Sequence, residues 1–412
     1  YRTAYYGKWH SAPAMAKVYE NQDDYHVTST SGKAKMGIGA VSLYHNFLKD
    51  GGYKKGKLDD YSGLDQGQLI DTFSRQPYQL SITDTRYGLS PEEIKKLGKP
   101  SQPDIQGILQ VDPARTITAM ESRGILGALD RFKDEPFSLT VSFHYPHAPF
   151  TPTENFAKLF DKDKMALPES FKDKMENSPY LKTNQRVQRT QYRDPAKVRQ
   201  FKATYYALVK EVDTWIGKIL NKLEEHQLTD NTMIVFVSDH GEMLGSHGMS
   251  SKNIFYEESV HVPFLISLPG VIKAGTRIKS PVSSLDIFPT VLDYLDQPIP
   301  KHINSKSLRG VIDGKEVRDF VVSEWRPDPK VPTYMIRKDH WKLLISSFPK
   351  GPAVDALYNL NDDPHEMNNL LHKGMAENDA KVAASLKGKL LTWLEEVNSP
   401  QLNGVKNRKL PL

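Results

Sequence analysis

Short apolar runs that alternate with long helical patterns constrain the fold of this chain more than any other feature of its sequence. The helical patterns begin at Asp112-Pro113 and Asp194-Pro195, where an N-cap residue precedes a proline at the first helical position, and near Ser284. The apolar runs between them are residues 137–143, 232–237 and 263–268. The alternation predicts an α/β fold, with a mostly parallel sheet sandwiched by helices.

The helix after Asp194-Pro195 carries the clearest periodicity in the chain. Its apolar residues recur every three or four positions, as on one face of an amphipathic helix. They are Val198, Phe201, Tyr205, Leu208, Val212, Ile216, Ile219 and Leu223. The sequence therefore predicts a long helix that buries this stripe against the sheet.

The pattern changes near residue 300. The elements predicted there are strands at 320–325, 333–337 and 341–346 and a helix near 379–397. Residues 338–340 are typical of a hairpin turn. We therefore predict a larger α/β domain over residues 1–300 and a smaller C-terminal α+β subdomain over residues 301–412, with antiparallel strands and a terminal helix. The polar segment 161–193 is predicted to be a surface excursion that shapes a substrate cleft.

Composition excludes several classes of function. The chain has 412 residues and no cysteine, so it has no disulfides, thiolate metal sites or encoded cysteine nucleophile. Its net charge of +5, from 55 basic and 50 acidic residues, is too mild for a typical nucleic-acid-binding protein. No apolar run reaches the roughly 18 residues of a membrane span. These properties predict a water-soluble globular protein.

Polar clusters follow three of the predicted strands. The clusters are Gly7-Lys8-Trp9-His10, residues 144–149 (His-Tyr-Pro-His-Ala-Pro) and Asp239-His240. Open parallel sheets bind ligands beyond the carboxyl ends of their strands. The three clusters are therefore expected to lie at one edge of the sheet.

The residue types in these clusters suit a limited range of chemistry. Asp239 and His240 can contribute an oxygen and a nitrogen ligand to a divalent cation. Lys8 and Lys252 are compact positive charges that suit a tetrahedral oxyanion. Histidines such as His147 can exchange protons near neutral pH. Together they indicate cleavage of an ester of sulfate or phosphate.

An ordered set of motifs resembles the type I sulfatases, the formylglycine-dependent members of the alkaline phosphatase superfamily. Besides the three clusters, the motifs are Gly241-Glu242, Lys252, Tyr256-Glu257-Glu258-Ser259, Asp286-Ile287-Phe288-Pro289-Thr290 and Leu357-Tyr358-Asn359-Leu360-Asn361-Asp362-Asp363-Pro364 with Glu366, Asn369 and Leu370. They run in order from residue 1 to about 371. The resemblance implies an alkaline phosphatase-like fold and hydrolysis of sulfate esters.

Four catalytic residues are implied by the resemblance. Lys8 would bind the sulfate and help to hold the nucleophile, and His10 would assist the nucleophile and relay a proton. His147 would be the general acid that protonates the leaving alcohol. Lys252 would help His147 and also contact the sulfate.

The resemblance also implies metal and substrate contacts. Asp239 and His240 would be two ligands of a single Ca²⁺, or alternatively Mg²⁺. His144 and His247 are predicted to bind substrate, with a structural hydrogen-bonding role as the alternative for both. The Glu257-Glu258 pair is expected to tie its helix to the surroundings, since further carboxylates beside a sulfate would repel it.

Two elements of the family pattern are missing. The sequence has neither an N-terminal Asp-Asp metal motif nor the Cys- or Ser-x-Pro-x-Arg motif whose first residue becomes formylglycine. In the family both precede Gly-Lys-Trp-His. We therefore expect the nucleophile in an N-terminal segment of the same protein that precedes Tyr1, and no sulfatase turnover from this polypeptide alone.

Other functions stay open from the sequence. One is a phosphonate monoester hydrolase or phosphodiesterase of the same superfamily, and a two-zinc phosphatase is a weaker candidate. Another is a non-catalytic relic that binds sulfated glycans. By family analogy, the preferred substrate is a sulfated carbohydrate or polysaccharide, and the expected location is periplasmic or secreted. No nucleic-acid partner is expected.

Overall fold

The computed structural model describes residues 1–8, 69–71, 106–109, 112–148, 150–180, 190–325, 332–347, 354–372 and 374–410. Of the predicted site residues, His10 lies outside these ranges. The chain packs into two compact units. Unit 1 comprises Tyr1–Leu167 and Asp194–Thr232, and unit 2 comprises Pro168–Arg193 and Met233–Leu412. The predicted domain boundary at residue 300 falls inside unit 2 and stays a prediction.

Unit 1 is built from helices and a parallel strand pair. Its strands are β1 (Arg2–Gly7), β2 (Leu69–Asp71), β3 (Gly107–Leu109) and β4 (Phe137–Ser142), and its helices are α1 (Ile117–Phe132), α2 (Glu154–Ala157) and α3 (Pro195–Glu225). β1 pairs with β4 in parallel, with Ala4 opposite Leu139. Ala4 packs with Ile125 and Phe132 of α1 in a buried apolar cluster. The crossover from β1 to β4 thus covers the strand pair with α1.

The first predicted helix begins later than expected. Asp112 caps a 3₁₀ turn, accepting a hydrogen bond from the Ala114 amide at 2.8 Å. The α-helix itself starts after Thr116, whose hydroxyl accepts from the Ala119 amide at 3.2 Å. Two successive capping residues, Asp112 and Thr116, therefore lead the chain into α1.

The long predicted helix is confirmed as α3, and its buried face is displaced in the middle. Asp194 caps it, accepting from the amides of Ala196 at 2.9 Å and Lys197 at 3.3 Å. Predicted stripe residues at both ends of the helix are buried, but Glu211 and Trp215 occupy the buried face where Val212 and Ile216 were expected. A carboxylate therefore lies in the core of unit 1.

Unit 2 contains the remaining elements. Its strands are β5 (Ile234–Val237), β6 (Phe264–Ser267), β7 (Val321–Trp325), β8 (Thr333–Lys338), β9 (Trp341–Ser346) and β10 (Ala356–Asn359), and its helices are α4 (Glu257–Val260), α5 (Ile287–Tyr294), α6 (Arg309–Ile312), α7 (Glu377–Glu396) and α8 (Leu402–Asn407). β7 to β10 form an antiparallel sheet in the order β10-β9-β8-β7. Leu386, Leu390 and Leu394 of α7 pack in one buried apolar cluster with residues of this sheet. The predicted C-terminal strands, hairpin and helix are all present.

The strand that leads to Asp239 pairs differently from β1 and β4. β5 and β6 are antiparallel, with Phe236 opposite Leu265. These two side chains are 40% and 60% exposed, whereas a continuous apolar run predicts burial on both faces. Within the described part of the chain this ribbon has two strands, so each strand has one paired edge.

Most described residues of the segment 161–193 are exposed or half-buried, as predicted for a surface excursion, but several side chains anchor it in the interior. Phe171, Met175 and Tyr180 are buried, and the last two belong to the apolar core of unit 2. Tyr180 also accepts a hydrogen bond on its hydroxyl from the Phe255 amide at 2.8 Å. Polar residues between these anchors hid the periodicity of the buried side chains. None of the described helices is both long and apolar enough to cross a bilayer.

Candidate active site

The end of β1 lies directly beside the end of β4. Gly7 has φ +111°, and a Cβ built on it would lie 1.8 Å from the Ser142 carbonyl oxygen. The Lys8 amide donates to that same oxygen at 2.6 Å. Only glycine tolerates this approach, so Gly7 fixes where Lys8 leaves the strand. Of the three polar clusters predicted at one sheet edge, the first two lie at adjacent strand ends, and the placement of the third, which follows β5 in unit 2, stays a prediction.

His147 is held in one tautomer. Its Nδ1 lies 2.7 Å from the Ala148 carbonyl oxygen, which can only accept, so Nδ1 carries a hydrogen. Proton exchange is thereby assigned to Nε2. The His147 amide also donates to the His144 carbonyl at 2.9 Å and closes a tight turn. This arrangement suits a general acid.

His144 is buried and paired with a carboxylate. Its Nδ1 contacts Glu121 Oε1 of α1, and its backbone amide lies 3.4 Å from Glu121 Oε2. Such burial argues against direct contact with substrate. The predicted substrate-binding role of His144 has no support in this geometry, and the structural alternative fits it.

A second carboxylate lies beneath the same turn. Glu211 of α3 is 0% exposed, and its oxygens have no hydrogen-bond partner among the described residues. Burial raises the pKa of Glu211 to about 8, the nearby Thr116 hydroxyl lowers it in part, and the charge of Glu121 raises it further. Burial likewise raises the pKa of Tyr145, and both carboxylates add to that rise. Glu211 is therefore protonated at neutral pH.

In unit 2, Asp239 and His240 follow β5 with two donor atoms close together. His240 Nε2 lies 3.5 Å from Asp239 Oδ2. His240 Nδ1 lies 2.9 Å from the Gly241 carbonyl oxygen, which leaves the lone pair on Nε2 when the ring is neutral. A carbonyl that orients a ligating histidine in this way is typical of metal sites. The pair fits part of a cation site, and the described residues hold no group of three or more such ligands.

Gly241 lets the metal motif approach α4. A Cβ at Gly241 would lie 1.9 Å from the Glu258 carbonyl oxygen, and the Gly241 amide donates to the Ser259 carbonyl at 2.8 Å. The Asp-His-Gly motif is therefore packed against the backbone of the Tyr-Glu-Glu-Ser motif. The backbone of the Tyr-Glu-Glu-Ser motif therefore helps to hold Asp239 and His240 in place.

Lys252 lies between two residues in the left-handed region. Ser251 has φ +73° and Asn253 has φ +77°. The Ser251 amide donates to the Glu242 carboxylate, and the Met243 amide donates to the Ser251 carbonyl at 3.0 Å. This short-range bonding holds the loop that presents Lys252.

His247 is a buried residue of the unit 2 core. It is 0% exposed, its Nδ1 lies 2.7 Å from Asp173 Oδ2, and its ring stacks on Tyr256 at 4.1 Å. Although burial acts to raise it, the pKa of Asp173 is lowered by hydrogen bonds from His247 and the Met175 amide. His247 thus joins its loop to residues 168–193. The geometry favours the structural alternative over the predicted contact with substrate.

A buried ion network joins two further motifs. Lys342 of β9 is 0% exposed, and its Nζ lies 2.9 Å from Glu257 Oε1 and 2.8 Å from Glu366 Oε1. Arg337 contacts the other oxygen of Glu257. Burial raises the pKa of Glu366 to about 7, although Lys342 acts to lower it. Glu257 therefore ties α4 to the C-terminal sheet, as expected.

Replacing Lys342 with methionine is expected to lower the free energy of unfolding by about 3–5 kcal/mol, because it leaves buried carboxylates without their shared cation. Denaturant unfolding of the wild-type and variant proteins measures this change. Lys338→Met is the control, since Lys338 lies near the surface beside Asp319 and its loss should cost less than about 1 kcal/mol. Equal effects of the two substitutions would contradict the role of the network.

Asp286 is also structural. Its carboxylate accepts from the Ser283 amide at 3.0 Å, from Lys306 N at 3.2 Å and from Arg318 Nη2 at 2.7 Å. The side chain is buried at the start of α5. The Asp-Ile-Phe-Pro-Thr motif therefore marks the start of α5, and its aspartate anchors that helix to neighbouring segments.

The structure groups the predicted site residues by unit. Lys8, His144 and His147 lie at one edge in unit 1, and the other described ones follow β5 in unit 2. The residues that sequence reasoning missed are Glu121, Glu211, Asp173 and Lys342. The first two carried a partial signal, since each is a carboxylate on or beside the apolar stripe of a helix. The other two carried none, because neither lies in a recognisable motif.

Comparisons with known proteins agree with this set of motifs. The family profile described as Sulfatase matches residues 1–297, and the profile described as N-sulphoglucosamine sulphohydrolase, C-terminal, matches residues 245–396. The chain belongs to the sulfatase family. It is 32% identical over 188 residues to human Arylsulfatase K, covering 43% of this chain and 34% of that protein. It is 30% identical over 245 residues to Choline-sulfatase of Rhizobium meliloti (strain 1021), covering 57% and 46%. The chain thus spans less than half of the length of these curated relatives.

Solved structures confirm the predicted fold class. The phosphonate monoester hydrolase of Silicibacter pomeroyi superposes with a TM-score of 0.67 at 20% identity, covering 92% of this chain and 71% of that one. A protein solved with its substrate D-glucosamine-2-N,6-O-disulfate superposes with a TM-score of 0.58 at 20% identity, covering 97% and 92%. At such identities the likeness concerns the fold alone. The fold is α/β and alkaline phosphatase-like.

Proposed function

We propose that the protein hydrolyses sulfate esters of carbohydrates. The observation that carries this proposal is the parallel pairing of β1 with β4, because it brings Lys8 beside the turn that holds His147. Membership of the sulfatase family supports the reaction. The sulfated sugar bound as substrate by a protein of the same fold supports the substrate class.

In this proposal His147 acts as the general acid. Its protonated Nε2 donates to the bridging oxygen as the bond between sulfur and that oxygen breaks, so the alcohol leaves neutral. The Ala148 carbonyl then stabilises the neutral ring through the hydrogen on Nδ1. Lys8 and Lys252 bind the sulfate oxygens and offset their negative charge. His10 assists the nucleophile.

The nucleophile is proposed to be a formylglycine outside these 412 residues, since the sequence contains no cysteine and no Ser-x-Pro-x-Arg motif. That group would supply the oxygen that accepts the sulfuryl group. Part of the active site is therefore proposed to come from an N-terminal segment of the same protein. This polypeptide alone is proposed to have no turnover.

Asp239 and His240 are proposed to hold a Ca²⁺, or alternatively a Mg²⁺, through the carboxylate and Nε2. The remaining ligands would come from outside this sequence. A bound cation neutralises negative charge around the sulfate and the nucleophile. The proposed location is periplasmic or secreted, where sulfated carbohydrates are accessible.

Parallel assays of the full-length protein, with any residues that precede Tyr1 in its gene, test the proposed function. The substrates are a sugar sulfate, an aryl sulfate and a phosphonate monoester. We expect turnover of the sulfates well above that of the phosphonate. Preference for the phosphonate would indicate a phosphonate monoester hydrolase. Binding of sulfated glycan without turnover would indicate a relic.

Replacing Asp239 with asparagine is expected to weaken Ca²⁺ binding by at least about tenfold, since losing even a residue that supports a ligand typically costs 10–100-fold. Calorimetric titration of the full-length protein with Ca²⁺ measures this directly. Asp230→Asn is the control, because Asp230 is exposed in unit 1. Unchanged Ca²⁺ affinity in the Asp239 variant would remove Asp239 from the ligand set.

A further inference from the structure

The His147 turn is anchored from beneath by one side chain. Glu121 of α1 is buried, and its two carboxylate oxygens approach two different groups of the same residue. Oε1 contacts the ring Nδ1 of His144, and Oε2 lies 3.4 Å from the His144 backbone amide. A carboxylate that engages ring and backbone together fixes both the position and the rotation of His144.

His144 in turn fixes the backbone of His147. The His147 amide donates to the His144 carbonyl at 2.9 Å, so His144 is the first residue of the turn that His147 closes. The far side of the turn is also held, because Tyr145 Oη donates to the Thr151 carbonyl at 3.3 Å. A displacement of His144 therefore changes the turn that places His147.

Glu211 lies close to this anchor. It lies fully buried on α3, and the charge of Glu121 helps to raise its pKa to about 8, chiefly an effect of burial. The titratable groups around the anchor are Glu121, Glu211, His144 and Tyr145.

We propose that Glu121 is a positioning residue for the general acid, holding His144 so that His147 Nε2 points at the leaving oxygen. The inference rests on the proposed function, because the leaving oxygen exists only in that reaction. A displaced general acid slows the reaction where the leaving group needs a proton, and misplacement by about 1 Å can cost about 100-fold. A nitrophenolate leaving group needs little protonation. A misplaced general acid should therefore slow the sugar sulfate more than the nitrophenyl sulfate, whereas general damage to the fold should slow both equally.

The test compares Glu121→Gln with Ser122→Ala in the full-length protein. Glutamine keeps the size of Glu121 but has one accepting oxygen instead of two. Ser122 is the buried neighbour on α1, and its hydroxyl donates to the Thr118 carbonyl at 2.7 Å, away from the turn. The substrates are a sugar sulfate and a nitrophenyl sulfate.

For Glu121→Gln we expect kcat on the sugar sulfate to fall about 10- to 100-fold. KM should stay within about twofold, and kcat on nitrophenyl sulfate should fall much less. Ser122→Ala should change neither kcat by more than about twofold. Equal losses of kcat on both substrates with Glu121→Gln would overturn the proposal, because they indicate a structural role alone.

Amide hydrogen exchange gives a readout that does not depend on activity. Exchange of the His147 amide should be at least about tenfold faster in Glu121→Gln and unchanged in Ser122→Ala, because the turn loses its anchor. Unchanged exchange in Glu121→Gln would overturn the proposal whatever the kinetics. If the wild-type protein hydrolyses neither substrate, the proposed function fails, and hydrogen exchange still decides whether Glu121 holds the turn.

Discussion

Replacing His147 with alanine is expected to lower kcat on a sugar sulfate by about 10²- to 10⁴-fold, the usual contribution of a general acid. The reason is that the alcohol must leave with a proton, and the structure assigns proton exchange to Nε2 through the contact of Nδ1 with Ala148. The alkaline fall in rate that a protonated acid produces should also disappear. Steady-state kinetics from pH 5 to pH 10 measure both effects.

His226→Ala is the matched control for this prediction. His226 is also in unit 1, and its Nε2 lies 2.8 Å from Asp130 Oδ1, a pair made outside the turn. Its removal should leave kcat within about twofold of the wild-type value. If His147→Ala keeps the alkaline limb of the profile, another residue supplies the proton.

Replacing Glu211 with glutamine is expected to stabilise the protein at alkaline pH. Between about pH 4.5 and pH 8 the folded protein keeps a proton on Glu211 that the unfolded chain has released. Unfolding stability therefore falls as pH rises through this window and is constant above it. Since one pKa unit corresponds to about 1.4 kcal/mol, the wild-type penalty reaches at most about 5 kcal/mol. Glutamine does not ionise, so the Glu211→Gln variant avoids this loss of stability.

Urea unfolding at pH 5 and pH 9 tests this prediction. The Glu211→Gln variant should be more stable than the wild type by several kcal/mol at pH 9 and nearly equal to it at pH 5. Glu224→Gln is the control, because Glu224 is exposed on the same helix and its loss should matter little at either pH. A pH-independent difference between wild type and Glu211→Gln would show that Glu211 titrates normally.

The elements of the fold were largely predictable, because local signals marked them. Asp194-Pro195 predicted the start of α3, and the apolar run at 341–346 predicted β9 with the same bounds. The rule that parallel strands end at one edge predicted that the polar clusters after β1 and β4 share an edge, but not that these two strands are neighbours. Burial of Phe171, Met175 and Tyr180 was not predictable, since the contacts of this segment are with residues far away in sequence.

The sequence predicted the motif residues of the candidate site better than the buried residues that hold them in position. Gly7, Lys8 and His147 carry chemistry that a short motif reveals. Glu121 and Glu211 act from helices, and their importance depends on a packing register that periodicity gives only approximately. The predicted stripe on α3 was displaced by one residue near Glu211, which hid a buried acid among apolar neighbours.

The anchored segment 168–180 has a consequence for biosynthesis. Its Asp173 bonds to His247, 74 residues later, and its Asn177 carbonyl accepts from Asn369 Nδ2, 192 residues later. At a synthesis rate of about 5–20 residues per second, these partners emerge about 4–15 s and 10–40 s after the segment. During that interval the side chains of Phe171 and Tyr180 are exposed to water on the nascent chain. Aggregation of the newly made chain is therefore a hazard at this segment until its partners in unit 2 have been synthesised.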